Sequence, residues 1–231
     1  MGMRGCTAAL AAVLLAASVP AAAGGPTEAG LRLGWLRTTG AVRGLSAGVP
    51  APEAYAVARR PGSPLSLEVS VSGYEVSGTE SGRALYTSGG TTTPTSYAFS
   101  QDLLVIPMLA TARLDRRRAR LDLHAGAGLG AAISTLDRRL SFSDPGAEAA
   151  FGQTTGAADV GLETHAQAGL DWRFGAGWSA GAFVRWAYVR SGVGLYRGFR
   201  SADASGAYFA EGGAAGNASG LFAALSLQRR L

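Results

Sequence analysis

Through much of the chain, apolar residues fall on every second position. In RLDLHAGAGLGAAIS, residues 120–134, Leu121, Leu123, Ala125, Ala127, Leu129, Ala131 and Ile133 share one phase. Arg120, Asp122, His124, Gly126, Gly128, Gly130 and Ser134 share the other. A period of two over fifteen residues marks a strand, with no helical spacing to compete. PLSLEVSVSGYEV sets Leu65, Leu67, Val69 and Val71 against Ser66, Glu68, Ser70 and Ser72; Gly73 then shifts the hydrophobic phase and suggests a bulge. In THAQAGLDWRFGAGWSAGAFVRW, residues 164–186, the apolar phase carries Ala166, Ala168, Leu170 and Trp172, then Trp178, Ala180, Ala182, Val184 and Trp186.

Extending this reading predicts eight strands, near 28–37, 52–60, 64–78, 98–114, 119–136, 158–174, 177–191 and 218–231. The second has the weakest pattern. Pro107 interrupts the fourth, which must be bulged or locally unpaired there. Three connections are short: Arg60-Pro61-Gly62-Ser63, Asp115-Arg116-Arg117-Arg118 and Phe174-Gly175-Ala176-Gly177. Four are long and polar, about 38–51, 79–97, 137–157 and 192–217, and they alternate with the short ones. Antiparallel strands joined in this way gather every long loop at one end and the short turns with both termini at the other.

Composition narrows the setting. The first residues, MGMRGCTAALAAVLLAASVPAAAGG, read as a cleaved secretory leader over 1–23: Arg4, an apolar stretch from Ala8 to Val19, and Ala21-Ala22-Ala23 before the cut. The only cysteine, Cys6, lies inside that leader, so residues 24–231 hold no disulfide or thiolate chemistry. No later stretch approaches the about 18 uninterrupted apolar residues of a spanning helix. All 21 basic residues are arginine, against 16 acids. Their scattering among apolar positions and turns argues against nucleic acid as a partner.

Alternation does not choose between a soluble barrel with an apolar core and a membrane barrel with a polar lumen. Magnitudes do. Were the polar phase to face lipid, each arginine near the midplane would cost about 2–4 kcal/mol. The apolar stripe is rich in alanine, which would pack a closed core poorly but suits a surface filled by lipid. Trp172, Trp178, Trp186 and Tyr188, with Trp35, bracket the stripe as aromatic girdles. From Trp178 to Tyr188, ten tilted steps span roughly 23–25 Å, the height of a lipid-facing band. The expected fold is all-β: an eight-stranded antiparallel up-and-down transmembrane β-barrel, with the lipid bilayer as its partner.

The stretches LEVSVSGYE, DLLVIPMLATARL, LHAGAGLGAAIS and GLDWRFGAGWSAGAFVRW resemble the bacterial outer-membrane β-barrel superfamily, in particular its eight-stranded group with the outer membrane protein A and W barrels. The resemblance covers the whole chain after the leader. It implies an outer-membrane location, short periplasmic turns and long external loops, and is a likeness of fold and not of activity; the expected role is that of a non-enzymatic structural or surface-interacting monomer, with a narrow passive channel and an outer-membrane hydrolase as the alternatives. It also implies a terminal strand read by the barrel-assembly machinery. Here that strand is GLFAALSLQRRL, with Leu221, Ala223, Leu225, Leu227 and Leu231 in phase; Leu231 replaces the usual aromatic residue, and Arg229 occupies an apolar slot.

Candidate chemistry lies in the presumed lumen phase: Arg113, Arg120, Asp122, His124, Glu163, His165, Asp171, Arg173 and Arg185. Two histidines with carboxylates form a conceivable metal or acid–base set, but a hydrogen-bonded luminal network fits the same residues without metal spacing. No cofactor is implied. Opposite charges in so narrow an interior should pair into a plug; a lining for a narrow passive channel is the alternative. Gly126, Gly128 and Gly130 strip side chains from one inner wall, leaving either a small pocket or room for the long residues opposite.

Overall fold

A computed structural model of the chain describes residues 27–39, 48–88, 90–175, 177–190, 192–203, 206–214 and 219–231. The leader lies outside these residues. The strands are β1 (Thr27–Thr38), β2 (Val49–Arg59), β3 (Leu65–Ser72), β4 (Tyr74–Ser88), β5 (Thr91–Arg118), β6 (Leu121–Phe142), β7 (Gln153–Phe174), β8 (Trp178–Arg190), β9 (Gly194–Asp203), β10 (Gly206–Ala214) and β11 (Gly220–Arg230). One helix, α1 (Pro145–Phe151), precedes β7; Asp144 caps it by accepting from the Ala147 N–H at 2.8 Å, with Pro145 in its first turn.

Hydrogen bonding runs β3-β2-β1-β11-β8-β7-β6-β5-β4, and β3 also pairs with β5, which closes the sheet. Because β3 and β4 occupy one staggered position, the ring has eight members, all antiparallel. The predicted alternation is laid onto the two faces. Along β11 burial alternates from Gly220 to Arg229, with Leu221, Leu225 and Leu227 outside and Phe222, Ser226 and Gln228 inside.

The junction of β3 and β4 corrects the expected bulge at Gly73. Val71 opposes Met108 and Tyr74 opposes Val105, so the register across the gap is unshifted. The backbone keeps its alternation; only the hydrophobic phase changes, from outward Leu67 and Val69 to inward Tyr74 and Val76. The inside of the barrel is itself apolar at that height. Pro107 fits the same break. It stays in register with Ala132 on β6, and it falls between the last β3–β5 pair, Val71 with Met108, and the first β4–β5 pair, Tyr74 with Val105, where a missing N–H breaks no rung of the ladder.

Two further expectations change. Residues 115–118 are not a turn: β5 continues to Arg118 and the reversal is Ala119-Arg120, with Ala119 at φ 46°. Asp115 and Arg117 point to the lumen rim, where they find charged partners, and this draws the strand onward. Residues 79–97 and 137–157 are not plain loops. β4, β5, β6 and β7 extend past the barrel as a four-stranded wall, with Ser88 opposite Thr91, Tyr97 opposite Phe142 and Leu140 opposite Gln153. Phe99 and Leu140 are buried in it, and Phe151 of α1 meets Tyr86 and Phe142 at 5.9 and 6.3 Å between ring centroids. In the 192–217 region, β9 and β10 form a separate hairpin. The threonine-rich wall strands carry no continuous apolar stripe, so hydrophobic periodicity could not reveal them.

Candidate functional site

Adjacent strands deliver their inward side chains to one buried network. At its centre, Glu68 of β3 accepts from Arg32 of β1 through both oxygens, at 2.7 and 2.9 Å, and from Arg113 of β5 at 2.5 Å. Gln167 of β7 adds a fourth donor at 3.0 Å. Arg32 also donates to Glu53 of β2 at 2.5 Å, and Glu53 accepts in turn from Arg185 of β8. The Arg32 guanidinium lies between the rings of Tyr55 and Phe183, 3.8 and 3.7 Å from their centroids, so its faces are covered as well as its edges. Arg32, Glu68 and Arg113 are each at most 1% exposed. A water-filled bore would leave such side chains accessible; here they fill the cross-section.

Toward the short turns a second tier of ion pairs closes the rim. Arg59 bridges Glu28 at 2.8 Å and Asp115 at 3.0 Å, while Arg113 reaches Asp115 at 2.9 Å. Arg117 contacts Glu28 at 3.0 Å, and Asp122 stands 3.6 and 3.4 Å from Arg117 and Arg173. Toward the long loops the lumen turns apolar, with Leu36, Val76, Leu103, Val105, Leu136, Phe183, Val189 and Phe222 in one cluster. Between this cap and the ionic centre lies a cavity of about 20 Å³ lined by Glu163, Arg185, Tyr74 and Ser72 among others, room for about one water.

Of the anticipated luminal residues, Arg113, Asp122, His124, Glu163, His165, Asp171 and Arg185 are buried inside, and Arg173 is half-buried at the rim. Arg120 is the correction. It sits in the Ala119-Arg120 turn with its side chain exposed, because the strand end falls one residue after it and not before. Trp35, Trp172, Trp178, Trp186 and Tyr188 all project outward, 38–56% exposed. Arg32, Glu53 and Glu68, the network's hub, were absent from the anticipated set. Arg32 between Leu31 and Leu33, and Glu68 between Leu67 and Val69, carry the alternation signal that would have found them. Glu53 does not: its strand is apolar on both faces, with Ala54 and Ala56 as buried as Tyr55 and Val57.

The histidines are not brought together as a metal or catalytic set. His165 Nε2 is 2.8 Å from Thr111 Oγ1. His124 Nδ1 stands 3.3 Å from Asp171 Oδ2, while Ser226 donates to the other Asp171 oxygen at 2.9 Å. The carboxylate therefore lies between hydroxyl and imidazole. A nucleophilic relay needs the imidazole in the middle, so this order cannot activate Ser226. Among the described residues, no three metal-ligating side chains converge.

Each of these histidines faces a glycine on the neighbouring strand: His124 opposite Gly169, and His165 opposite Gly128. The bare inner wall is room for the residues opposite. A Cβ on Gly128 would lie 2.0 Å from the Ala110 carbonyl oxygen and 2.8 Å from the His165 ring. The carbonyl belongs to the sheet and cannot give way. Gly128→Ala is expected to destabilise the folded barrel by about 1–3 kcal/mol, as overpacking does, read as a lower urea midpoint in detergent micelles.

The chain closes into an eight-stranded antiparallel ring with tryptophan and leucine outside and ion pairs inside, the architecture of an up-and-down β-barrel. The sequence matches no known protein family profile and no curated protein. Among solved structures the chain is similar to Ail, the attachment invasion locus protein of Yersinia pestis, in complex with the heparin analogue sucrose octasulfate, at 10% identity and a TM-score of 0.44, over 89% of this chain and 95% of that one. It is also similar to Neisserial surface protein A at 9% identity and a TM-score of 0.40, covering 89% and 96%. A major outer membrane protein from Thermus thermophilus follows at 11% identity and a TM-score of 0.41, covering 89% and 98%.

Proposed function

We propose that this protein is an integral, monomeric outer-membrane β-barrel whose lumen is plugged, and that its role is structural and surface-interacting, not enzymatic. The observation that carries this reading is the Arg32–Glu53–Glu68–Arg113–Arg185 network, buried across the full width of the bore. A closed lumen leaves the wall of β4 to β7 and the β9–β10 hairpin as the parts that meet the outside. In this reading residues 1–23 are the export leader, the short turns face the periplasm, and β11 is the strand presented to the barrel-assembly machinery.

Planar-bilayer recording tests the plug. Folded protein, shown by a boiled-versus-unboiled shift on a denaturing gel, is expected to give no conductance steps. Regular steps would favour the narrow-channel reading instead. Absence of any gel shift, together with solubility without detergent, would overturn the membrane assignment itself.

A further inference from the structure

Exposed arginines stand at both ends of the barrel, Arg37, Arg83, Arg139 and Arg190 toward the long loops, but exposed carboxylates stand at one end only. Arg60, Arg116, Arg118, Arg120, Arg229 and Arg230 are exposed at the short-turn end. The carboxylates of that end, Glu28, Asp115 and Asp122, are drawn into the lumen rim with side chains at most 8% exposed, and their partners are Arg59, Arg113, Arg117 and Arg173. Among described side chains, the exposed carboxylate residues are Glu75, Asp137 and Glu148, all at the long-loop end. The short-turn end therefore presents an arginine collar opposed only by the C-terminal carboxylate. Within the described residues, no ion pair involves Arg60, Arg116, Arg118 or Arg120.

The direction of these side chains identifies the partner. Arg116 and Arg118 continue the outward phase of Leu114, which is 60% exposed. Arg229 continues that of Leu225 and Leu227, and its guanidinium stands 5.5 Å from the Trp178 ring centroid. Arg60 belongs to the neighbouring turn, which is tied to β5 by the Asp115 N–H donating to the Pro64 carbonyl. The collar thus points radially, one step beyond the apolar band, where headgroups surround a barrel. A linear polyanion would need a groove; these arginines are spread around the perimeter. Guanidinium pairs with phosphate oxygens through parallel N–H donors, and a basic residue held at an anionic lipid surface strengthens attraction about fivefold.

We propose that this collar binds the phosphate groups of anionic phospholipids in the leaflet at the short-turn end, gathering them as an annulus around the barrel. The proposal rests on the membrane-spanning reading above. Its test is lipid selectivity, measured by electron spin resonance with spin-labelled phosphatidylglycerol or phosphatidylcholine in phosphatidylcholine vesicles containing the folded protein. The expected result is a preference of about fivefold or more for motionally restricted phosphatidylglycerol at low salt. It should fall toward unity at about 1 M salt, where the screening length is about 3 Å.

The variant Arg60→Gln/Arg116→Gln/Arg118→Gln/Arg120→Gln should keep the gel shift and lose most of the preference. Arg37→Gln/Arg190→Gln, at the other end, should keep both. A folded wild type without preference, a quadruple variant that retains it, or loss of preference in the Arg37/Arg190 variant would each overturn the proposal while leaving the membrane reading intact. Failure to insert into either lipid would sink the membrane reading, and the collar's role with it.

Discussion

Replacing Glu68 by leucine is expected to cost the folded barrel about 3–5 kcal/mol, the cost of leaving buried charge uncompensated. Glu68 accepts from Arg32, Arg113 and Gln167 with no exposure to solvent. Without it, Arg32 and Arg185 share Glu53 alone, and Arg113 keeps only Asp115. The size of the loss comes from the arginines left behind more than from the bonds removed. That distinction has its own test. In Arg32→Met/Glu68→Leu, Arg185 has Glu53 to itself and Arg113 keeps Asp115, which it shares with Arg59. The double variant is therefore expected to be more stable than Glu68→Leu alone. Urea unfolding in detergent micelles, followed by tryptophan fluorescence, measures both. A double variant as weak as the sum of its parts would mean that the bonds of the network, not charge balance, carry its contribution.

The second large effect concerns the outer face. Ala127 lies midway along the outward row of β6 and pairs with Ala112 and Ala166, both also outward. Ala127→Arg is expected to destabilise the protein by about 2–4 kcal/mol in phospholipid vesicles, because the guanidinium would sit near the midplane. Thr135→Arg, outward on the same strand but past the apolar row, should cost about 0–1 kcal/mol. If the outer face met water, both changes would be close to neutral, as exposed substitutions are. Equal and negligible effects would therefore overturn the membrane reading by a route independent of conductance.

The strands that face two different environments were legible in the chain. β6, β7 and β8 carry tryptophan, leucine or alanine on one phase and charge or glycine among the residues of the other, and β11 sets leucine against serine and glutamine. Arg113, Asp122 and Asp171 were recognisable as inward residues for the same reason. Where both phases are alike, the chain was silent. The wall strands of β4 and β5 are serine- and threonine-rich on both faces, and β2 is apolar on both. Their strand state comes from a neighbour already in register that can continue the ladder. Arg120 was misplaced because alternation runs straight through a two-residue turn: nothing in the period of two says where a strand reverses.

An inside and an outside are already written in the chain, because a strand's side chains must alternate and charge gathers on one phase while tryptophan, leucine and alanine gather on the other. Which charges meet is set by the folded ring. Glu68 finds Arg32, Arg113 and Gln167 across three other strands, and that depends on the closure of the ring. Closure also explains the reversed hydrophobic phase at Gly73, which reads as a bulge in one strand and is instead the edge of an apolar cap that the barrel assembles from several. Register between distant strands is a property of the closed sheet, and local periodicity carries no trace of it.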